Sequence, residues 1–463
     1  MLQAGLVELA EPASLDGSAL GEVLRVEPQH DGTTCVVGQP VPVAVLIREV
    51  GEERFGMWVT IFSMTMWLSV LPLGMDRTLL TRLGRVAFNQ PALARRVITA
   101  AVAVVLLSSS VAVIAIGVFG WSLPWAESIL NVTGQDAVRD AVPTAVAAML
   151  VTALSMPLML SGFVLQAYQR GATRHLLAII SQLAGLGLVL LGVWLDWSLP
   201  WLGVMILSPL VITGLLQWAV AWRLMPPRSG PETGIADSTG GAGGAGSAAA
   251  QRVAGPMLTT GMGLWLADLA MILLVNSGAF VVAQVDGAAG VVPYGAVYRL
   301  VGPIFVCYVV IAHSYWPAFG DAAKAQDHSW IGRAMRHSII LVGGLWLIGA
   351  AGCLLAGEPF IVWWLGEQAR PGTPLILAAL AFALANGIYH ISVAALAGMG
   401  YIKVQTIVSL VMLSVYCLAT WLCLGFLNAT GVMLIQAAGI GMIGLINAAY
   451  LLHVIRRPTG QAA

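Results

Sequence analysis

The sequence predicts an all-α, polytopic membrane protein, and three observations predict it. Of 463 residues, 59% are hydrophobic and only 10% charged, and the mean hydropathy is +0.87, outside the composition of soluble domains. Apolar stretches recur at the length needed to cross a hydrocarbon core of about 30 Å at 1.5 Å per helical residue, roughly 20 residues. The loops between them alternate between several basic residues and almost none. Lipid offers no partner to a bare backbone, so spans of this length are helices. Membrane β-strands would be half as long and would alternate apolar with polar residues.

Eleven spans are legible: 55–74, 97–119, 143–167, 174–195, 199–223, 257–283, 290–313, 338–357, 373–397, 405–426 and 430–453. Their direction follows from the positive-inside rule. The loop after the first span carries Arg77, Arg82, Arg85, Arg95 and Arg96 and is expected inside; the next has only Arg139 beside Glu127, Asp136 and Asp140 and is expected outside. Arg170 and Arg174 return the chain inside, Asp196 marks the outside, and Arg223, Arg228 and Arg252 mark the inside again. Asp286 lies outside, Lys324, Arg333 and Arg336 inside, Glu358, Glu367 and Arg370 outside, and Lys403 inside. Asn428 sits in an uncharged outer loop, and Arg456 and Arg457 put the C-terminus in the cytoplasm of a cell inner (plasma) membrane.

The chain divides into an atypical polar segment 1–40, an N-terminal membrane lobe 41–225, a Gly, Ser and Ala-rich cytoplasmic linker 226–252 and a C-terminal lobe 253–457. The lobes weakly repeat. Phe55-Gly56 corresponds to Tyr294-Gly295, Gly171 with Arg174 to Gly400 with Lys403, and Gly203-Val204-Met205 to Gly431-Val432-Met433. Matching spans enter from the same side, so the expected architecture is two six-helix lobes about a pseudo-two-fold axis along the membrane normal. The counterpart of 257–283 falls near 18–44, which is too polar for a normal span and lacks the pattern of a secretory signal. The first helix is therefore expected to be degenerate or truncated, with 41–47 as its surviving end.

Several classes of chemistry are excluded. Only two of the 22 basic residues are lysines and the net charge is zero, so nothing marks a nucleic-acid binder. The five cysteines form no CxxC pair or metal spacing, no P-loop or HExxH motif is present, and no cofactor or metal is expected. Gly439, Gly441 and Gly444 spell GxGxxG inside an apolar span with no preceding strand, which reads as close helix packing. An enzyme of the membrane-embedded glycosyl- or acyltransferase kind would need acidic or His motifs on a long surface loop, so the chain is read as not an enzyme.

Ionised side chains inside lipid are costly and need a partner or a water-filled cavity. Arg299 and Asp268 lie near mid-span and are the foremost candidates, either as working residues or as a structural pair. Asn276, Asn386, Tyr389, His390, Gln166, Gln182 and Gln217 can line a route or hydrogen-bond across helices. Arg77, Arg82 and Arg85 are placed to steer an anionic head group, a role that topology determination alone also explains.

The passages VLIREVGEERFGMW (45–58), LPLGMDRTLLTRLGR (71–85), YGAVYRL (294–300) and SYWPAFGDAAKAQDHSWIGRAMR (314–336) resemble the multidrug/oligosaccharidyl-lipid/polysaccharide exporter superfamily. Within it they are most similar to polysaccharide flippases of the Wzx-type O-antigen translocase kind. The resemblance implies two lobes around a central cavity and a transporter that flips a lipid-linked oligosaccharide to the outer leaflet by alternating access. It further implies that Arg299, Asn276, Asn386 and His390 meet a polyprenyl-pyrophosphate-linked oligosaccharide, that Asp268 couples transport, and that a polysaccharide polymerase or glycosyltransferases are partners. The competing expectation is a drug or organic-cation antiporter of the same superfamily, kept open by Asp268.

Overall fold

A computed structural model describes residues 51–88, 90–225, 262 and 265–455; the polar segment 1–40, the first-helix remnant 41–47 and the linker 226–252 lie outside the described residues. Those described are nearly all helical, with no strand among them. In chain order the helices are α1 (Glu52–Thr65), α2 (Met75–Val86), α3 (Pro91–Phe119), α4 (Gln135–Ala167), α5 (Gly171–Trp194) and α6 (Leu199–Leu224). After residue 262 a helical stretch Trp265–Lys324 breaks at Gly287 (φ 74°, ψ 175°) into α7 (265–286) and α8 (288–324). Then follow α9 (His328–Leu365), α10 (Thr373–Gly398), α11 (Ile402–Cys423) and α12 (Ala429–Ile455). Nine of the described helical stretches are long and apolar enough to cross a membrane.

Three elements differ from the sequence reading. The first span does not run helically to residue 74: α1 ends at Thr65 and tightens into a 3₁₀ turn Met66–Val70. Leu73 and Gly74 then take left-handed φ values of 53° and 71°, which turns the chain sharply into α2. That basic stretch, expected to be a loop, is an amphipathic helix whose Met75, Leu79 and Leu83 are fully buried. Likewise the amphipathic loop expected at 314–336 is the end of α8 and the start of α9, joined by a short turn in which the Asp327 carboxylate caps α9 by accepting from Trp330 N–H at 2.9 Å.

Two groups of helices are apparent from their packing. In the first, α4 lies at the centre and touches α1, α2, α3 and α6; in the second, α10 and α12 pack on each other, and α8 packs on α10. The exposure of matching helices repeats between the groups. The apolar windows are 11% buried in α3 and 17% in α9, 61% in α4 and 67% in α10, 22% in both α5 and α11, and 44% in both α6 and α12. A helix and its sequence counterpart thus share a similar degree of burial, as a parallel repeat would give. The lipid-facing belts follow, with Leu107, Val111 and Ile114 exposed on α3 and Ile340, Ile348 and Leu355 on α9. Gly444 of α12 comes so close to Tyr389 N of α10 that a Cβ there would stand 2.8 Å from it, so the GxGxxG match serves helix packing.

The groups meet through α1 against α7 and α8. The contact requires glycine, because a Cβ on Gly56 would overlap the carbonyl oxygen of Ala288. Around it one apolar core joins both groups, with Phe55, Trp58 and Ala141 on one side and Ala283, Val291 and Val297 on the other. At the arginine-rich ends of the helices the cores are separate: Met75, Leu83 and Leu160 belong to one, Phe319, Ile331 and Leu451 to another. The two groups are therefore most closely joined at the end bearing Glu53 and Asp286, here called the acidic end; toward the basic end their apolar cores separate, although Trp265 Nε1 of α7 still donates to Val70 O across the gap at 2.8 Å. Gly56→Val should force backbone apart at the junction and cost about 1–3 kcal/mol, the usual range for overpacking. A fall in melting temperature of the detergent-solubilised protein is expected, with none for Gly84→Ala, whose site has nothing within 4 Å.

Candidate functional site

The parting of the two groups leaves a crevice bounded by α1 on one side and by α7 and α8 on the other. Its enclosed part measures about 80 Å³ and is lined by Phe62, Ser63 and Met66 of α1 and its 3₁₀ extension, Asn276 of α7, and Tyr294, Tyr298 and Arg299 of α8 among others. Arg299 is the one charged side chain on that lining. It is partly buried and donates to Gly295 O at 3.0 Å. Gly295 has no Cβ to crowd the guanidinium, which lies 2.8 Å from where one would stand. The structural pair with Asp268, one of the two readings of these residues, is not formed: Arg299 makes no ion pair among the described residues. Asp268 precedes the lining residue Asn276 by eight positions, about two helical turns, which sets it toward the basic end of α7.

Asn276 is on the crevice wall, with its amide donating to Ile272 O at 3.0 Å. Asn386 and His390 are in α10 and do not belong to that wall. Asn386 is 5% exposed and donates to Phe382 O at 2.9 Å, and the His390 ring packs edge-on against Tyr389 at 5.2 Å. Arg77, Arg82 and Arg85 fall on α2, at the basic end.

The wall behind the crevice is a satisfied polar network. The helix path of α7 is interrupted at Ser277, and Gln436 of α12, fully buried, donates to Leu274 O at 2.8 Å and Val275 O at 3.0 Å. Its amide oxygen accepts from the Tyr294 hydroxyl at 2.7 Å, and the Ser277 and Tyr416 hydroxyls are 2.7 Å apart. In lipid such backbone carbonyls must find protein donors, so Gln436 fixes the position of α8 and hence of Arg299.

A second cavity of about 220 Å³ lies inside the first helix group and shares Met66 with the crevice. Asp76, Arg174, His175, Gln182 and Gln217 line it. Arg174 donates to Gln166 Oε1 at 2.6 Å and lies over the Phe163 ring at 5.1 Å; Gln217 donates to Arg174 O at 3.1 Å. Sequence reading counted Arg174 as a loop charge and did not single out Asp76 or His175. The signal was the set of glutamines on the neighbouring helices, since three amides at membrane depth imply a polar centre for them to serve.

At the acidic end the junction is tied by hydrogen bonds between the groups. Asn131 Nδ2 donates to Ala283 O at 3.0 Å and Gln284 Nε2 to Ile129 O at 2.8 Å. The loop that carries them is held by Glu53, which accepts from Thr133 N–H at 2.6 Å and Gly134 N–H at 3.1 Å, while Arg54 pairs with Asp140 of α4. Partial burial pushes the Glu53 carboxyl up, but the Thr133 and Gly134 amides and the Thr133 hydroxyl together hold it below its ordinary value.

No family model matches the chain, and no curated protein does either. Solved structures do. An inward-facing multidrug resistance MATE family transporter of the MOP superfamily superposes with a TM-score of 0.69 at 14% identity, over 94% of this chain and 97% of that one. The fold is that of a MATE transporter. An outward-facing MATE structure gives 0.57 at 15% identity over the same shares. A MOP superfamily transporter from Pyrococcus furiosus, described with a binding pocket of reverse polarity, gives 0.56 at 15% identity, again over 94% and 97%. Of these two MATE structures, the inward-facing one superposes with the higher TM-score.

Two outcomes follow for the junction. Losing both amide bonds through Asn131→Ala with Gln284→Ala should cost about 1 kcal/mol each, shifting the balance of conformers roughly 30-fold. The rise is read as faster labelling of Ser63→Cys by an impermeant maleimide applied from the acidic side. Because folding holds Glu53 below its ordinary 4.5, its contribution is complete above that pH and is lost as pH falls through the depressed folded value. Glu53→Gln should therefore flatten the fall of melting temperature below pH 4.5.

Proposed function

We propose that the chain is an alternating-access transporter whose cargo is an amphiphile with an anionic head group, of the polyprenyl-pyrophosphate-linked oligosaccharide class. The observation that carries this reading is Arg299, which among the described residues is the only charge on the crevice lining and makes no ion pair. A guanidinium stays protonated at any relevant pH and offers a planar fork that fits phosphate oxygens. Tyr294, Tyr298 and Phe62 supply flat apolar surface beside it. In this reading the chain sits in the plasma membrane with the arginine-rich end in the cytoplasm, so the crevice opens to the side where lipid-linked sugars are assembled. Asp268 is the candidate for coupling, and the polymerase or glycosyltransferases that handle the same lipid are the candidate partners.

A second reading, export of drugs, draws on a different observation: the superposing structures include MATE proteins described as multidrug resistance transporters, and on fold alone it is the better supported. The cation on the crevice lining counts against organic cations as cargo, and no carboxylate shares that lining.

The readings separate in reconstituted vesicles. Arg299→Gln should slow flipping of a fluorescent polyprenyl-pyrophosphate sugar by roughly 10- to 100-fold, the value of a charge-assisted hydrogen bond, with Arg299→Lys between the two. Absence of lipid flipping by the wild type, together with dye-cation efflux that Arg299→Gln leaves intact, would establish drug export instead.

A further inference from the structure

A groove of about 670 Å³ at the acidic end lies apart from the crevice, between α4, the start of α6 and the first turn of α1. Its upper part holds two cations and two anions, Arg54, Arg139, Asp136 and Asp140. Arg54 and Asp140 pair with each other on the floor, while Asp136 and Arg139 are exposed at the rim. Along α4 the lining positions 136, 139, 140, 143, 146, 147 and 150 recur at intervals of one or three, so they form one stripe on a single helix face. The stripe is charged at the top and apolar below, through Pro143, Ala147 and Leu150, and Val204 of α6 faces it.

That gradient has the dimensions of a lipid in one leaflet. From Arg139 to Leu150 the helix rises about 16 Å, close to half of a hydrocarbon core of about 30 Å. Trp121 and Trp201, each 60% exposed, stand on the lining at the charged level, where indole rings mark the membrane interface. The charges select the head group. With both signs present and summing to zero, a purely anionic head group meets two carboxylates and a purely cationic one meets two guanidiniums. A head group that carries a phosphate and an ammonium satisfies both.

We propose that this groove binds a zwitterionic phospholipid of the acidic-end leaflet, with its phosphate on Arg139, its ammonium on Asp136 and an acyl chain along the stripe to Leu150. The bound lipid bridges α4 and α6 and does not enter the crevice, so the site is independent of the cargo.

The full chain in detergent, given equal amounts of dioleoyl-phosphatidylethanolamine and dioleoyl-phosphatidylglycerol, tests this by native mass spectrometry. The ethanolamine adduct should predominate and fall roughly tenfold in Asp136→Asn with Arg139→Gln, as expected for two lost ion contacts at exposed side chains. Ala147→Trp, which fills the stripe and leaves the charges in place, should reduce it as well. Equal adducts of the two lipids on the wild type, or an ethanolamine adduct unchanged in both variants, would overturn the proposal.

Discussion

The close crossing of α1 over the α7–α8 bend, made at Gly56 and the Ala288 carbonyl, is the contact on which the arrangement of the two helix groups rests. Bulk at that position would push the groups apart. Because the crossing sits at the acidic end, helices that diverge from it open a space toward the basic end, and that space is the crevice. Gly287 supports the same geometry from the other side: its left-handed φ of 74° breaks the path between α7 and α8, a conformation that costs glycine little and other residues more. Asp286 beside it accepts from Ala429 N–H at 2.7 Å and so caps α12.

Lipid imposes the second constraint, that polar groups be satisfied within the protein. Gln436 answers the carbonyls freed near Ser277, Trp265 Nε1 donates to Val70 O at 2.8 Å where the 3₁₀ turn ends, and Ser161 donates to Gln217 Oε1 at 3.3 Å. Arg299 differs in carrying a charge: among the described residues its guanidinium is met by one backbone carbonyl at hydrogen-bonding distance. On the proposed reading a guanidinium in that position meets an anionic cargo, and the Gln436–Tyr294 hydrogen bond fixes the helix that carries it.

The sequence made much of this legible. Helical, membrane-spanning character follows from hydropathy and span length, and the similar burial of α3 with α9 and of α4 with α10 is what the expected repeat would give. Arg299 and Asn276 were readable as polar residues at membrane depth, and both are on the crevice wall. What escaped was set by tertiary contact. Asp268 was matched to Arg299 because both lie at mid-span, but depth along a helix says nothing about which face a side chain occupies. Asn386 and His390 turn into the packing of α10 for the same reason. The amphipathic α2 read as a loop because its arginines mask the period of Met75, Leu79 and Leu83, and Arg174 read as a topology charge because its partners Gln166 and Gln217 come from other helices.

The central claim is that the junction at the acidic end and the opening at the basic end exchange when cargo is carried. Spin-label distances test it directly in a cysteine-free background, with one pair at Gln135→Cys and Glu367→Cys on the acidic end and another at Gly84→Cys and Arg333→Cys on the basic end. The account predicts that adding a polyprenyl-pyrophosphate lipid lengthens the first distance while shortening the second. Two distances that stay fixed, or that change in the same sense, would contradict it.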